Sequence, residues 1–209
     1  WGYINARGDF VIPPRFDDVG RFAVNGLARV KVNGKWGYIN VKGKEVIKPR
    51  FDAASNFVAN GLAWVRIGDS RNRREGYIHA SHEKSGAIFG EVGDYAANGL
   101  AAVRMKGQWG YINKNGEEVI APRFDDAAGF AVNGLARIKV NGSGSKWSYY
   151  GGHWSYGGHW GYINAKGEEV IPPRFDEAED FAANGLARVE ADGKRFCIDA
   201  KGEESRYPQ

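Results

Sequence analysis

The sequence repeats one word at a nearly fixed spacing, and this periodicity constrains the fold more than any other feature. The pentapeptide Trp-Gly-Tyr-Ile-Asn begins at four positions: Trp1, Trp36, Trp109 and Trp160. Degenerate copies begin at Glu75 and Arg195. A period of about 35 residues is typical of repeat proteins, in which each repeat buries its apolar face only against its neighbours. The sequence therefore predicts an array of small stacked units.

Five full repeats and one partial repeat account for the whole chain as a single array, 1–209. The boundaries fall as follows: repeat 1, 1–35; repeat 2, 36–74; repeat 3, 75–108; repeat 4, 109–159; repeat 5, 160–194; and repeat 6, 195–209. Repeat 3 departs most, because it lacks the Trp and the Pro-Arg-Phe-Asp word, of which we interpret Phe89 as the remnant. Repeat 4 gains an insertion, 143–159.

The Asn-Gly dipeptide at 33–34 separates two runs of alternating apolar residues. This pattern predicts a β-hairpin with a type I′ turn, which needs positive φ at both central residues. A two-residue loop fixes the register, so that Lys31 lies opposite Trp36 and Arg29 opposite Tyr38. Side chains alternate across a sheet, so these four share one face, where the cations can stack on the Trp36 ring.

The rest of the repeat predicts one further strand and a connector. We expect a third strand at 45–47 that ends at Pro49, because proline cannot donate to a ladder. The connector, 50–60, predicts a compact turn or a single helical turn. Gly37 leaves room on one face of its strand, which we expect a neighbouring repeat to fill. The resulting fold class is all-β, with three-stranded meanders stacked as an open solenoid-like array; a closed propeller-like ring is the alternative.

The full repeat reads W-G-Y-I-N-x-x-G-x-x-V-I-x-P-R-F-D-x-A-x-x-F-x-x-N-G-L-A-x-V-x-x-x-G-K. Over nearly the whole chain it resembles the bacterial WG-repeat family, also called KWG repeats. The match is specific, since the three words KWGYIN, PRFD and NGLA recur together and in fixed order. The resemblance implies a β-repeat array of the kind found in bacterial proteins of many architectures, mostly without an assigned activity.

Two sets of repeated residues are interpreted as structural. The four tryptophans recur in step with the strand pattern, which favours packing over an exposed ladder for sugar rings. The arginines of the PRFD word are expected to pair with a carboxylate or a turn carbonyl in the same or an adjacent repeat. These arginines are Arg15, Arg50, Arg123 and Arg174.

The insertion in repeat 4 is the strongest candidate for a binding site. It is rich in glycine and contains an imperfect duplication, W-S-Y-Y-G-G-H-W followed by W-S-Y-G-G-H-W. Aromatic side chains in an inserted loop often mark a contact surface. The alternative is a longer hairpin that packs on its own repeat. The candidate binding residues are Trp147, Tyr149, Tyr150, His153, Trp154, Tyr156 and His159.

Catalytic, metal and cofactor sites are not indicated by the sequence. No phosphate-binding loop, GxSxG or HExxH motif occurs. The acidic pairs at 17–18 and 125–126 and the His-x-x-His at 79–82 are weak candidates for calcium and for a transition metal, because each lacks further ligands. The only cysteine, Cys197, cannot form an internal disulfide. The cysteine content therefore does not distinguish an oxidising from a reducing compartment. We therefore predict a protein that is not an enzyme and has no cofactor or metal.

The charge pattern restricts the partners. The net charge of +4 is spread over interleaved acids and bases, which argues against a nucleic-acid partner. No apolar run reaches the length of a membrane span. The leading hypothesis is a binding or scaffold module for a protein partner. The alternatives are a structural subunit that assembles with copies of itself into a filament, and a glycan-binding module that uses the insertion.

Overall fold

A computed structural model describes residues 1–68, 71–80, 88–140, 148–150, 153–155 and 158–205, with 148–150 and 153–155 as backbone only. The chain divides into an N-terminal compact unit, Trp1–Glu91, and a C-terminal compact unit, Val92–Gln209. Every regular element in the described part of the chain is a β-strand. Within these residues no helix could cross a membrane. The all-β class predicted from the sequence is confirmed.

The first nine strands lie in the N-terminal unit: β1 Tyr3–Ile4, β2 Phe10–Ile12, β3 Asp18–Val19, β4 Leu27–Val32, β5 Lys35–Asn40, β6 Glu45–Phe51, β7 Ala53–Ala54, β8 Leu62–Ile67 and β9 Arg74–His79. The boundary between the units falls within β10, Glu91–Val92. The C-terminal unit continues with β11 Leu100–Met105, β12 Gln108–Asn113, β13 Glu118–Phe124, β14 Asp126–Ala127, β15 Ala136–Val140, β16 Ser148–Tyr150, β17 His153–Ser155, β18 His159–Ile163, β19 Glu169–Phe175, β20 Glu177–Ala178, β21 Ala187–Ala191, β22 Lys194–Ile198 and β23 Glu204–Ser205.

These strands form a series of small antiparallel sheets in chain order. Sheet 1 is β1–β2, sheet 2 is β3–β4–β5–β6 and sheet 3 is β7–β8–β9. Sheet 4 is β10–β11–β12–β13, sheet 5 is β14–β15–β18–β19 and sheet 6 is β20–β21–β22–β23. The strands β16 and β17 make a separate two-stranded sheet. Sheets 2, 4, 5 and 6 thus take two strands from one sequence repeat and two from the next.

The predicted hairpin register is confirmed in sheet 2. Lys31 pairs with Trp36 and Arg29 pairs with Tyr38. The turn residues Asn33 and Gly34 have φ values of 49° and 77°, as a type I′ turn requires. The same register recurs between β11 and β12, where Arg104 pairs with Trp109.

The expectation that Pro49 ends the third strand is wrong, because β6 runs through it to Phe51. Trp36 pairs with Phe51 and Tyr38 with Ile47, and the register shifts between these pairs. The proline therefore lies in a bulge, where its missing N–H leaves no ladder position empty.

The bulge also explains Gly37, for which we expected contact with a neighbouring repeat. A Cβ added to Gly37 would lie 2.5 Å from the carbonyl oxygen of Ile47 and 2.6 Å from the nitrogen of Pro49. The space beside this glycine is therefore filled by the backbone of its own repeat, and the expectation of a neighbouring repeat is wrong.

The connector, 50–60, holds no helical turn in the structure. It contains β7, whose Ala53 pairs with Arg66 and whose Ala54 pairs with Val65 in the next sheet. The three-stranded meander is therefore present, and a fourth strand from the preceding connector joins it. The prediction of a compact or helical turn is wrong because this strand pairs with β8, the strand that follows the connector in the same repeat.

Repeat 3 is the irregular one, as its sequence predicts. Phe89 makes an isolated bridge with Tyr77, in which both backbone N–H groups donate to the opposite carbonyl at 2.8 Å. In sheet 2 the residue opposite the corresponding tyrosine is Ile47. Phe89 therefore takes the ladder place of that isoleucine, and our interpretation of it as the phenylalanine of the PRFD word is wrong.

Consecutive sheets within each unit bury one face against the next. The face of sheet 2 that carries Trp36 and Tyr38 packs on Ala63 and Val65 of sheet 3. Sheet 5 packs on sheet 6 in the same way, with Tyr162 over residues that include Val189. A single sheet of this size has too little core to be stable alone, so each depends on its neighbour.

Candidate functional site

The arginines of the PRFD words bind backbone, not a ligand, in the described structure. Three of the four donate from Nη2 to the carbonyl oxygen of a turn glycine in the next sheet: Arg15 to Gly43, Arg123 to Gly167 at 2.6 Å, and Arg174 to Gly202 at 2.7 Å. Arg50 has no such partner among the described residues and lies over the Phe51 ring, 4.9 Å from its centroid. The sequence analysis left a carboxylate and a turn carbonyl as possible partners, and these three arginines bind the turn carbonyl.

The aspartates of the same words hold the hairpin turns. Three of the four accept a hydrogen bond from a backbone N–H at a turn: Asp17 from Gly34 at 3.2 Å, Asp52 from Gly68 at 2.8 Å, and Asp176 from Asp192 at 3.1 Å. Asp52 also accepts a bond from the Lys35 ammonium. The Lys35 bond and the Gly68 N–H bond hold the pKa of this carboxyl below its usual value. These acids therefore stabilise turns.

The tryptophans pack between cations and the next sheet. Trp36 and Trp160 are 9 % and 7 % exposed. Each ring lies under a guanidinium and an ammonium, at these distances to its centroid: Arg29 4.7 Å and Lys31 5.7 Å for Trp36, and Arg137 4.9 Å and Lys139 5.4 Å for Trp160. Trp109 is half-buried. Trp1 is 70 % exposed.

The guanidinium over each buried tryptophan also reaches the following sheet. Nη1 of Arg137 donates to the carbonyl oxygen of Ala178 at 2.6 Å, and its Nε lies 2.8 Å from the Asp180 carboxylate. Arg29 donates in the same way to the carbonyl oxygen of Ala54. The arginine that follows the Asn-Gly-Leu-Ala word therefore covers a ring in its own sheet and joins two sheets.

The tyrosines of the Trp-Gly-Tyr words make a further link between sheets. Their hydroxyls donate to connector carbonyls at 2.7 Å: Tyr3 to Gly20, Tyr38 to Ser55, Tyr111 to Ala128 and Tyr162 to Glu179. Each ring also packs on a connector phenylalanine, such as Tyr38 on Phe57 with centroids 4.7 Å apart. Burial raises the pKa of Tyr38, Tyr111 and Tyr162 well above the ordinary phenolic value.

Alkaline destabilisation is expected from these tyrosines. Below about pH 10 each phenol is protonated in both states, so the three contribute no pH dependence. Above that pH the unfolded chain releases protons that the folded chain retains, and the free energy of unfolding falls by about 1.4 kcal/mol per pH unit for each tyrosine. Urea unfolding at rising pH checks this, with Tyr162→Phe as the control. A slope that is the same in this variant would contradict the assignment.

The insertion extends the tip of the hairpin between β15 and β18. Val140 pairs with His159, in the place of the pair between Val32 and Lys35 in sheet 2. His159 therefore belongs to the ladder, with its Nδ1 3.8 Å from the Asp176 carboxylate. The insertion is shorter by one residue than predicted, 143–158, and we call it the inserted hairpin.

The inserted hairpin contains the short antiparallel pair β16–β17. Tyr149 pairs with Trp154 and Tyr150 with His153. The structure thus brings four of the candidate residues into one two-stranded ladder. Two further candidates, Trp147 and Tyr156, lie outside the described residues.

Metal binding gains no geometric support in the described residues. No three His, Cys, Asp or Glu side chains lie close enough there to share an ion. His79 is buried at the end of β9, against the Gly61 turn, and His82 lies outside the described residues. Asp18 accepts the backbone N–H of Val19, which uses one of the oxygens considered for calcium.

Two links between sheets were missed from the sequence alone. The tyrosine hydroxyls find their acceptors in a neighbouring sheet, and each connector strand is the first strand of the sheet that follows it. A signal was present, because the tyrosine and the connector Phe recur with the same period as the tryptophan. Their regular spacing gave no information on which carbonyl would accept the phenol.

Comparison with known proteins identifies the repeat. The pattern described as WG containing repeat matches residues 1–36, 36–69, 86–109, 109–143 and 160–194, which is more than half of the chain. No match to the chain was found among curated proteins.

Several solved structures are weakly similar to the chain. A eukaryotic initiation factor is 8 % identical, with 99 % of this chain and 60 % of that one covered at a TM-score of 0.40. Hsv2 of Kluyveromyces lactis is 10 % identical, with coverage of 91 % and 62 % and a TM-score of 0.38. The extracellular domain of a putative one component system of B. thetaiotaomicron is 10 % identical, with coverage of 89 % and 28 % and a TM-score of 0.37. The chain spans less than two thirds of each of these structures, and scores this low carry no argument about function.

Proposed function

The chain belongs to the WG-repeat family, and we propose that it is a non-catalytic binding module in which the repeats form a scaffold and the inserted hairpin contacts a protein partner. The observation that carries this proposal is the use of the repeated polar groups. The recurring arginines, aspartates and tyrosines described above bind the backbone of neighbouring sheets and turns. Groups engaged in this way hold the scaffold together and are not free to bind a ligand.

The inserted hairpin is the part of repeat 4 that the repeat itself does not require. Sheet 2 closes the same hairpin with only Asn33 and Gly34. In repeat 4 the dipeptide Asn141-Gly142 is still present in the sequence, and sixteen residues, 143–158, follow it before the strand resumes. A surface insertion of this length costs little free energy. Its glycine-spaced aromatic residues support a role in contact rather than in folding.

A protein partner fits this composition better than a glycan. Tryptophan and tyrosine are the side chains most enriched at the energetic centres of protein interfaces, because they bury large areas at low entropic cost. The backbone ladder pairs Tyr149 with Trp154, which concentrates two such residues on adjacent strands. An aromatic ring can also stack on a sugar, so glycan binding is the competing outcome of the experiment below.

Deletion of 143–158 tests both the scaffold and the contact. It joins Gly142 to His159 and recreates the sequence Val-Asn-Gly-X-Trp that sheet 2 uses. If the inserted hairpin is a contact element, the free energy of unfolding should stay equal or rise by up to about 2 kcal/mol, since a shorter loop costs less closure entropy. If the inserted hairpin packs on its own repeat, the deletion should destabilise the chain. Urea unfolding followed by circular dichroism separates the two.

The binding arm of the test uses the same deletion as its control. Cell-extract proteins retained by the full chain are compared with those retained by the deletion variant and by Trp147→Ala with Trp154→Ala. We expect a partner that is retained by the full chain and lost in both variants. Equal retention by all three proteins would contradict the proposal. Quenching of tryptophan fluorescence across a polysaccharide panel, absent in the deletion variant, would instead support the glycan alternative.

A further inference from the structure

Sheet 6 departs from the other sheets at the face that they use for stacking. In sheet 5 one cross-strand row of this face is, in order, Asp126, Lys139, Trp160 and Phe175. The corresponding row of sheet 6 is Glu177, Glu190 and Arg195. We call this the outer face of sheet 6. The position that holds a buried tryptophan in sheets 2 and 5 is therefore a charged residue here.

The charges on the outer face are exposed and partly paired with one another. Nε of Arg195 donates to the Glu190 carboxylate at 2.7 Å, and the Arg195 side chain is 85 % exposed. Glu177, Glu179 and Arg188 are also exposed. Together with Cys197 and Ser205 these residues line an open groove of about 900 Å³.

The tyrosine that links sheets elsewhere is also replaced. Cys197 takes its place in the ladder opposite Arg188, as Tyr162 lies opposite Arg137 in sheet 5. A thiol is shorter than a phenol and is a weak donor. Sheet 6 therefore lacks the group that would donate to a connector carbonyl of a further sheet.

Phe196 changes the fourth strand. It stands where Gly37, Gly110 and Gly161 stand, and a Cβ at each of those glycines would lie 2.5 to 2.6 Å from the carbonyl oxygen of the following strand. A side chain at this position excludes the bulged strand of the other sheets. Accordingly β23 pairs without a shift, Cys197 with Ser205 and Ile198 with Glu204.

From these replacements we infer that sheet 6 is an end cap, whose charged outer face rejects another repeat sheet, including one from a second copy of this chain. The face that stacks on the preceding sheet in this array carries alanine, valine and isoleucine, as Ala187, Val189 and Ile198 do in sheet 6. Such a face would bury the pair of Arg195 with Glu190, together with Glu177 and Glu179, and would supply no polar partners of its own. Burial of charged groups without compensation is strongly unfavourable, so the outer face stays in water.

The apolar surface of sheet 1 is not complementary to the cap. Trp1, Ile4 and Phe10 are exposed by 70 %, 61 % and 63 %. Contact between sheet 1 of one copy and the outer face of another would therefore set apolar side chains against carboxylates and guanidinium groups. The cap thus argues against head-to-tail assembly of copies through this face.

Restoration of the repeat word at 195–197 tests the cap. The variant Arg195→Trp, Phe196→Gly and Cys197→Tyr returns the sequence to Trp-Gly-Tyr. We expect its mass in light scattering to rise with concentration, while the wild-type chain stays at 23.0 kDa. Lys201→Trp, which places a tryptophan in the exposed turn of the same sheet, is the matched control and should stay at the wild-type mass.

Circular dichroism and a cooperative melt establish that each variant is folded. If the triple variant does not fold, the single variant Arg195→Trp, which keeps Phe196 and Cys197, is measured in its place. Its mass is likewise expected to rise with concentration. A folded variant with a restored word that keeps the wild-type mass at every concentration would overturn the inference. Self-association of the wild-type chain that is abolished by Arg195→Glu would also overturn it, because the outer face would then be a contact between copies.

Discussion

Replacing Gly161 by alanine is expected to lower the free energy of unfolding by about 3 kcal/mol, at the upper end of the usual cost of overpacking. The added Cβ would lie 2.6 Å from both the carbonyl oxygen of Ile171 and the nitrogen of Pro173. Both are backbone atoms of the bulged strand β19, so no side-chain rotation can relieve the contact. The strand must move away from β18, which disturbs the packing of sheet 5 on sheet 6.

Gly129→Ala is the matched control for this substitution. Gly129 is exposed, nothing lies within 4 Å of an added Cβ, and its φ is not in the positive range that favours glycine. Arg21, Asn56 and Asp180 occupy the corresponding place in other repeats. Alanine should therefore be neutral or stabilise by up to about 1 kcal/mol. Urea unfolding of both variants provides the measurement, and equal losses would refute the role given to the bulge.

Replacing Trp36 by alanine is expected to cost about 4 kcal/mol, in the range observed for large aromatic residues in cores. The ring is 9 % exposed, lies under Arg29 and Lys31, and packs on sheet 3. Its removal takes away apolar burial and leaves a cavity between two sheets. Trp1→Ala removes the same side chain from the same word, but at a site that is 70 % exposed, and should cost no more than about 0.5 kcal/mol.

Circular dichroism should follow the unfolding of these two variants, since each lacks one tryptophan fluorophore. The comparison isolates burial because residue type and local sequence are shared. If Trp1→Ala destabilised the chain as much as Trp36→Ala does, the word itself would matter more than its burial between sheets. Because stacked repeats can unfold in steps, the midpoint of each transition should be compared rather than one global value.

Local chemistry explains which parts of the fold could be predicted from the sequence. The Asn-Gly turn at 33–34 fixes a hairpin through its own two residues, so the pairing of Lys31 with Trp36 followed without knowledge of any other repeat. The alternation of side chains then placed both cations on the face of the ring. These predictions concern residues close in sequence, and the structure confirms them.

Pairing outside the predicted hairpin explains most of what was wrong. The strand Ala53–Ala54 is two residues long, and its partner, Val65 and Arg66, belongs to the following hairpin. Nothing in the local sequence distinguishes such a strand from a turn. Pro49 was interpreted as the end of a strand, but Gly37 beside it permits a bulge, in which a proline is tolerated. Phe89 was assigned to the PRFD word by its sequence alone, whereas in the structure it occupies the ladder position opposite Tyr77.

The candidate site was predicted in part. The position of the insertion followed from the break in the period. In the structure the insertion ends at residue 158 rather than 159, because His159 pairs with Val140 in the ladder. Binding by Trp147, Tyr149, Tyr150, His153, Trp154 and Tyr156 stays a prediction. The arginines of the PRFD words were assigned a structural role because they recur in every full copy of the word, and their carbonyl partners agree with that role.

The division of sheets between adjacent repeats has a consequence for how such a chain can change in length. Sheet 2 is built from the end of repeat 1 and the start of repeat 2, and sheet 6 from the end of repeat 5 and the start of repeat 6. When a gene duplication copies one whole period, the new junction joins positions that were already neighbours, wherever the copied segment begins. Every sheet is then restored with its turns and its contacts. We therefore expect tandem duplication and loss of single periods between sheets 1 and 6 to be tolerated without compensating substitutions.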